Sequence, residues 1–130
     1  MTKLIMIMID GVSAKHFAQH RKYLPNLDLL AQQGLQVTQG VTPEMAGVSM
    51  PGRTSIITGT PPAEHGIYAN RIYDRQAGLF RWAHGYDVRC KTLPQLAKEQ
   101  GLRIANIGYG MPRPEDCHVY MGPWWADDML

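Results

Sequence analysis

Six consecutive apolar residues near the start of the chain, Leu4-Ile5-Met6-Ile7-Met8-Ile9, limit the fold more than any other stretch. Their side chains do not alternate with polar ones, so a strand made from them must be covered on both faces. Parallel strands of α/β proteins are covered in this way because helices pack on each side of the sheet. The run therefore predicts an α/β fold, with a mostly parallel sheet flanked by helices.

Asp10 and Gly11 follow this run directly. In open α/β sheets, ligands bind beyond the carboxyl ends of the strands, so Asp10 is a candidate site residue. Asp-Gly is also typical of a tight turn or of the residues that precede a helix. The residues alone leave both interpretations open.

The remaining pattern alternates helices and strands, as an α/β chain does. Helices are predicted over residues 13–20, 25–33 and 92–100, strands over 35–42 and 102–107, and a hairpin over 71–74 and 79–82. Capping-box spacing in Thr92-Leu93-Pro94-Gln95 supports the helix that begins there. We expect the strands at 35–42 and 102–107 to be neighbours of the first strand.

The segment Ser49-Met50-Pro51 predicts a hydroxyl at the start of another helix. Proline suits the first helical position because its missing N–H would be unpaired there, and Gly59 is a natural left-handed stop. Ser49 then lies just before the helix, where free N–H groups and the helix dipole favour an anion and stabilise an alkoxide. In that place Ser49 is either a nucleophile or, like Met50, simply the helix cap.

Composition restricts the partners. The chain has 130 residues, 45% of them hydrophobic, which suffices for one globular domain. Its 13 basic and 11 acidic residues leave a net charge of +2, so we expect neither a nucleic-acid polymer nor an anionic membrane as partner. Cys90 and Cys117 lack zinc-site spacing and are read as free thiols. Without an export signal we expect a cytoplasmic protein, or a periplasmic or secreted one if a signal was removed.

The motif around Ser49 leads to a family resemblance. An apolar strand ending in Asp-Gly precedes Ser-x-Pro-x-Arg-x-Ser-Ile-x-Thr-Gly-x-x-Pro-x-x-His-Gly-Ile-x-x-Asn and then Tyr-Asp. Together these elements resemble the N-terminal part of the alkaline phosphatase superfamily, in particular its nucleotide pyrophosphatase/phosphodiesterase and phosphonoacetate hydrolase branch. The resemblance covers residues 4–74 well and 91–108 more loosely. It implies that residues 1–130 are the N-terminal part of a single alkaline phosphatase-like hydrolase domain.

The resemblance implies a metal-dependent hydrolase of small phosphodiesters, nucleotide pyrophosphates or phosphonates. Such enzymes use two zinc ions, with another divalent metal as an alternative, and a Thr or Ser nucleophile that attacks phosphorus in line. By matching position, Asp10 would ligate one zinc, Ser49 would be the nucleophile and touch that zinc, and Asn70 would contact a phosphoryl oxygen. Zinc lowers the pKa of a bound hydroxyl, and an amide holds a non-bridging oxygen.

The motif contains two further residues, Arg53 and His65, whose roles are considered next to those of Ser49 and Asn70. Arg53 lies one helical turn after Ser49, and it either binds the anionic substrate or pairs with a carboxylate such as Glu44 or Glu64. The histidine that matches His65 in the family is structural and supports the loop after the nucleophile helix. We expect the same of His65.

Sulfatases and phosphonate monoester hydrolases share the Ser-x-Pro-x-Arg core, and in them a Cys or Ser is oxidised to formylglycine. Met50 and Gly52 replace the small and hydroxyl residues usual there, and Gly11 stands where a second aspartate is usual. These differences favour an unmodified Ser49 and a phosphodiesterase. A sulfatase-like enzyme with formylglycine at Ser49 is the alternative.

The family's other zinc ligands have no counterpart in this chain, where Asp116-Cys117-His118 is the nearest imitation. We therefore expect an incomplete metal site, with the rest in a missing C-terminal portion or in another copy of a homo-oligomer. Trp124-Trp125 need apolar cover, which favours a larger domain or an oligomer contact. A non-catalytic α/β fragment that binds an anion or a partner chain is the remaining alternative.

Overall fold

The computed structural model describes residues 3–44 and 47–123 and shows the predicted mixture of helices and strands. The elements within those residues are the α-helices α1 (Ala14–His20), α2 (Pro25–Gln33), α3 (Ser49–Thr58), α4 (Pro62–His65) and α5 (Leu93–Glu99), and the strands β1 (Arg71–Asp74), β2 (Leu79–Trp82), β3 (Ala105–Ile107) and β4 (Val119–Met121). None of these helices is long and apolar enough to cross a membrane. Trp124-Trp125 lie outside the described residues.

The chain divides into two units, Met1–Thr42 and Pro43–Leu130. In the first, the two predicted helices are confirmed as α1 and α2. Ser13 caps α1 because its Oγ accepts the His16 N–H at 3.1 Å. Proline at the start of α2 and a glycine at its C-cap give that helix the bounds that its sequence predicts.

The strands predicted at 4–9 and 35–42 do not form in the described part of the first unit. The side chains of residues 4–9 are exposed by 36% to 82%, and that of Leu35 by 96%. A strand needs a neighbour that pairs with its backbone N–H and C=O groups and packs against its side chains. No strand is described within this unit, so both strand predictions are wrong here.

The second unit is built around α3, whose inner face supplies Met50 and Ile57 to the hydrophobic core. The other buried members of this core come from the loops and strand ends that follow α3: Ile67, Ala83, Val88 and Met111. Each of the six is less than 10% exposed. Burial of one face of α3 fixes the helix in the unit and leaves its N-terminal residue, Ser49, exposed.

A hairpin follows α3 and α4. Strands β1 and β2 pair antiparallel, with Tyr73 opposite Phe80, as the sequence predicts. The Arg81 guanidinium binds Asp87 through two hydrogen bonds, of 2.7 and 2.8 Å, and Asp74 through a third of 2.8 Å. The bond to Asp74 lowers the pKa of that carboxyl, and the two bonds to Asp87 join the hairpin to the 3-10 turn Gly85–Asp87.

The helix predicted at 92–100 is confirmed as α5, where the Gln95 side chain accepts the Thr92 N–H at 3.0 Å. The strand predicted at 102–107 is confirmed in its second half as β3. Its neighbour in the described sheets is β4, which runs parallel to it, and not the predicted strands at 4–9 and 35–42. Cys90 and Cys117 are free thiols, as predicted.

Replacement by alanine should have opposite effects on stability at two glycines of the second unit. A Cβ on Gly85 would lie 2.3 Å from the Met111 carbonyl oxygen, a backbone atom that cannot rotate away. We expect Gly85→Ala to lower the free energy of unfolding by about 1–3 kcal/mol. A Cβ on Gly52, inside α3, meets nothing within 4 Å, so Gly52→Ala should raise it by roughly 0.5–1 kcal/mol. Urea denaturation measures both, and equal effects would contradict this packing.

Candidate functional site

The candidate site is the N-terminus of α3. The helix begins at Ser49, with Val48 as its N-cap residue, rather than at Pro51 as predicted. The earlier start is possible because the first-turn N–H groups of a helix have no partner within it, so proline is tolerated throughout that turn. Met50 and Pro51 are buried while Ser49 is exposed, and this turn therefore presents the serine to solvent.

Asn70, twenty residues further along the chain, caps this helix end. Its Oδ1 accepts the Met50 N–H at 2.8 Å. The alternative that Ser49 or Met50 is the cap is wrong, because Val48 occupies that position and its side chain cannot accept a hydrogen bond. The Ser49 hydroxyl makes no hydrogen bond to any residue in 3–44 or 47–123.

Few backbone donors remain at this helix end. Pro51 has no N–H, Met50 donates to Asn70, and the Gly52 N–H donates to the Val48 carbonyl at 3.2 Å. The expected group of free N–H donors is therefore reduced to that of Ser49 in the described part of the first turn. An anion here would depend on side-chain donors more than on the helix backbone.

Asn70 is held at the root of the hairpin. Its carbonyl oxygen accepts the N–H of the fully buried Ala83 at 2.9 Å. Its side-chain oxygen is committed to Met50, and its Nδ2 group has no partner among the described residues. The amide therefore offers two N–H donors beside the exposed serine.

Arg53, one turn further along α3, contacts Tyr109, which follows strand β3. The Arg53 guanidinium carbon lies 6.0 Å from the centre of the Tyr109 ring, within cation–π range. The Tyr109 hydroxyl donates to the Arg53 carbonyl oxygen at 2.7 Å, and burial raises the pKa of Tyr109 to about 12. The choice between a substrate anion and a carboxylate as partner of Arg53 stays a prediction.

His65 has a structural position in the second unit. It is fully buried, its Nδ1 accepts the Ile67 N–H at 3.1 Å, and its Nε2 lies 3.0 Å from the Ser55 Oγ. Because Nδ1 accepts a hydrogen bond, the proton of the neutral ring is on Nε2, which donates to Ser55. Both ring nitrogens are thus used in joining α3 to the loop after α4, as expected.

Asp10 lies in the first unit, in a turn. Its Oδ1 accepts the Gly11 N–H at 2.9 Å, and Gly11 has a φ of 75°, which favours glycine. Of the four predicted site residues, the structure thus describes Ser49, Asn70 and Arg53 in the second unit and Asp10 in the first. The role of Asp10 as a zinc ligand stays a prediction.

No group of three or more His, Cys, Asp or Glu side chains suited to a metal ion is present in residues 3–44 and 47–123. His118 is exposed, and its Nδ1 accepts the Ile104 N–H at 3.2 Å. Burial, together with the charge of Asp116, raises the pKa of the Cys117 thiol and disfavours the thiolate that binds metal. Asp116-Cys117-His118 therefore does not form a metal site among these residues.

An exposed serine at a helix N-terminus, with amide donors beside it, is the kind of site that takes anionic esters. Comparison with known proteins agrees with this class. The model of the family described as type I phosphodiesterase/nucleotide pyrophosphatase matches residues 4–127. This chain belongs to that family, and the resemblance noted from its motif is confirmed.

Individual relatives match shorter segments. Alkaline phosphatase PhoK of Sphingomonas sp is 32% identical over 75 residues, 57% of this chain and 13% of that protein. The uncharacterized sulfatase YdeN of Escherichia coli is 32% identical over 103 residues, 74% of this chain and 16% of that protein. Bis(5'-adenosyl)-triphosphatase enpp4 of Xenopus laevis is 35% identical over 72 residues, which are 55% of this chain and 15% of that protein. The matched segments thus span only 13% to 16% of these relatives.

Two parts of the site do not follow from the sequence motif. The capping role of Asn70 joins residues 20 apart, and the contact of Tyr109 with Arg53 joins residues 56 apart. Neither pair has a spacing that marks a local motif. The family pattern does single out Asn70, but as a contact for the substrate and not as a helix cap.

The buried His65 should make stability depend on pH. Burial lowers its pKa, so the unfolded chain takes up a proton more readily than the folded one. The stabilisation that neutral His65 contributes should therefore be complete above about pH 6.5. The free energy of unfolding should fall as the pH drops below that value. Urea denaturation across this range should show a smaller slope with pH in His65→Gln. His16→Gln, which leaves the ring of His65 untouched, is the control, and an unchanged slope in His65→Gln would contradict this role.

Proposed function

We propose that this chain carries the nucleophile of a metal-dependent hydrolase that cleaves small phosphodiesters, nucleotide pyrophosphates or phosphonates. The observation that supports this most directly is the exposed Ser49 hydroxyl at the N-terminus of α3, which makes no hydrogen bond within the described residues. Family membership supports the same reaction class. A serine kept only as a helix cap would instead have its oxygen bound to a backbone N–H.

In the proposed reaction, the Ser49 Oγ attacks phosphorus on the side opposite the leaving group. A bond forms between Oγ and phosphorus while the bond to the leaving oxygen or carbon breaks, its electron pair staying with the leaving atom, which leaves as an anion or takes up a proton; the hydroxyl proton is lost to a base or to solvent. Water then attacks the serine-bound phosphorus group, the bond between Oγ and phosphorus breaks, and Oγ takes up a proton, which releases the phosphorus product and regenerates the hydroxyl. The positive end of α3 favours the negative charge on the serine oxygen as its proton is lost.

Asn70 and Arg53 are proposed to bind the substrate. The Nδ2 group of Asn70 would donate to a non-bridging oxygen, which becomes more negative as the transition state forms. Arg53 follows Ser49 by one helical turn, and its guanidinium would attract the same anionic group. These two side chains would compensate for the small number of backbone donors at the helix end.

The proposal includes zinc. Asp10 and Ser49, the ligands that the resemblance implies in this chain, offer oxygen atoms, which zinc accepts as ligands. When bound, the metal would lower the pKa of the serine hydroxyl and neutralise charge on phosphorus. Following the family resemblance, we propose that the remaining ligands come from Asp-x-x-x-His and Asp-His elements outside residues 1–130.

A sulfatase-like enzyme is the second candidate, because one matched relative is named as a sulfatase. In such an enzyme Ser49 would be oxidised to formylglycine and would not itself form a phosphoserine. Mass spectrometry of the Ser49 peptide from the natural protein separates the candidates. An unmodified mass supports the phosphodiesterase, and a mass lower by two hydrogen atoms supports the sulfatase-like enzyme.

Replacement of Ser49 tests the proposed reaction. In the natural protein that contains this chain, zinc-dependent hydrolysis of a chromogenic phosphodiester should fall at least about a thousandfold in Ser49→Ala, because no other group replaces the nucleophile. Ser49→Thr is the matched control, since it keeps a hydroxyl at the same place and should retain measurable turnover. Full activity in Ser49→Ala would contradict the assignment.

A further inference from the structure

The proposed nucleophile needs a hydroxyl that no neighbouring backbone donor engages. We infer that Asn70 is a positioning residue for Ser49: its side-chain oxygen caps α3, so that the serine hydroxyl stays available for reaction. This inference rests on the proposed function of Ser49. It concerns a second use of Asn70, separate from the substrate contact that the family resemblance implies.

The N-cap residue cannot perform this capping itself. Helices usually begin with Ser, Thr, Asp or Asn at the N-cap, where the side-chain oxygen accepts an N–H of the first turn. Here that residue is Val48, and its side chain has no polar atom. The Met50 N–H is instead bound by Asn70 Oδ1 at 2.8 Å. The cap thus comes from outside the helix.

Pro51 removes the other donor that the serine would engage. A serine side chain commonly accepts the N–H of the residue two positions further on, which bends the chain into a local turn. For Ser49 that residue is Pro51, which has no N–H. With Met50 bound to Asn70 as well, neither of the two residues that follow Ser49 offers a free backbone N–H to the serine hydroxyl.

The hairpin holds Asn70 in place for this task. The Ala83 N–H binds the Asn70 carbonyl oxygen at 2.9 Å, and Ala83 is fully buried in the core. The hydrogen bond of Arg81 to Asp74 joins the two strands of this hairpin, and its bonds to Asp87 join the hairpin to the turn that follows. A side chain anchored in this way can fix the first turn of α3 with little further loss of conformational freedom.

The planar side-chain amide of Asn70 can therefore make two kinds of hydrogen bond at once. Its oxygen is fixed on the helix that carries Ser49, and its Nδ2 group points away from that bond, by the geometry of the carboxamide. A substrate oxygen bound by Nδ2 would thus be held at a fixed position relative to the serine hydroxyl. Loss of the cap should release the first turn and displace Ser49, beyond the loss of one substrate contact.

Asn70→Asp and Asn70→Ala separate these two uses. Aspartate keeps an acceptor for the Met50 N–H but has no Nδ2 donor, whereas alanine has neither. Hydrogen exchange of the Met50 amide, measured without substrate on the natural protein that contains this chain, should be about fivefold faster or more in Asn70→Ala and nearly unchanged in Asn70→Asp. Asn26→Ala, at an exposed site on α2, is the control and should change nothing.

The second measurement is turnover by the natural protein. Both variants lose the Nδ2 contact and should lower kcat, but we expect Asn70→Ala, which also loses the cap, to lower kcat well below that of Asn70→Asp, whose added charge also raises KM. Unchanged Met50 exchange in Asn70→Ala would overturn the cap, and faster exchange with an equal kcat in the two variants would overturn the positioning role. Failure of the proposed function itself would appear separately, as full turnover in Ser49→Ala.

Discussion

The start of α3 depends on one long-range hydrogen bond, from the Met50 N–H to the Asn70 Oδ1. The Met50 side chain is 2% exposed and packs in the core, so this residue is held through both its side chain and its backbone. The residue before it, Ser49, is turned to solvent as a result. A buried neighbour and a distant cap thus produce an exposed hydroxyl at a helix N-terminus.

The support behind this bond extends through the second unit. His65 uses both ring nitrogens to join α3 to the loop before Asn70, and Arg81 joins the hairpin after it to Asp87. Removal of the fully buried His65 would be costly, because each partner left unpaired costs about 1–3 kcal/mol. The base of the site is therefore held in place by several hydrogen bonds.

The sequence predicts the local elements well and the long-range ones poorly. The bounds of α2 and the β1–β2 hairpin follow from proline, glycine and turn signals within a few residues. The apolar run at 4–9 instead requires neighbouring strands, which no local pattern supplies, and it forms no strand in the described residues. In the site, the motif leads to Ser49 and Asn70, but the hydrogen bond between their segments spans 20 residues and is visible only in the structure.

The central claim is that the Ser49 hydroxyl forms a covalent bond to phosphorus. Acid quenching of the natural protein during turnover of a phosphodiester, followed by peptide mapping, tests it directly. We expect the wild-type peptide to carry, on Ser49, the phosphorus group of the substrate with its remaining ester substituent. A phosphoryl group on another residue, or an adduct that persists in Ser49→Ala, would contradict it.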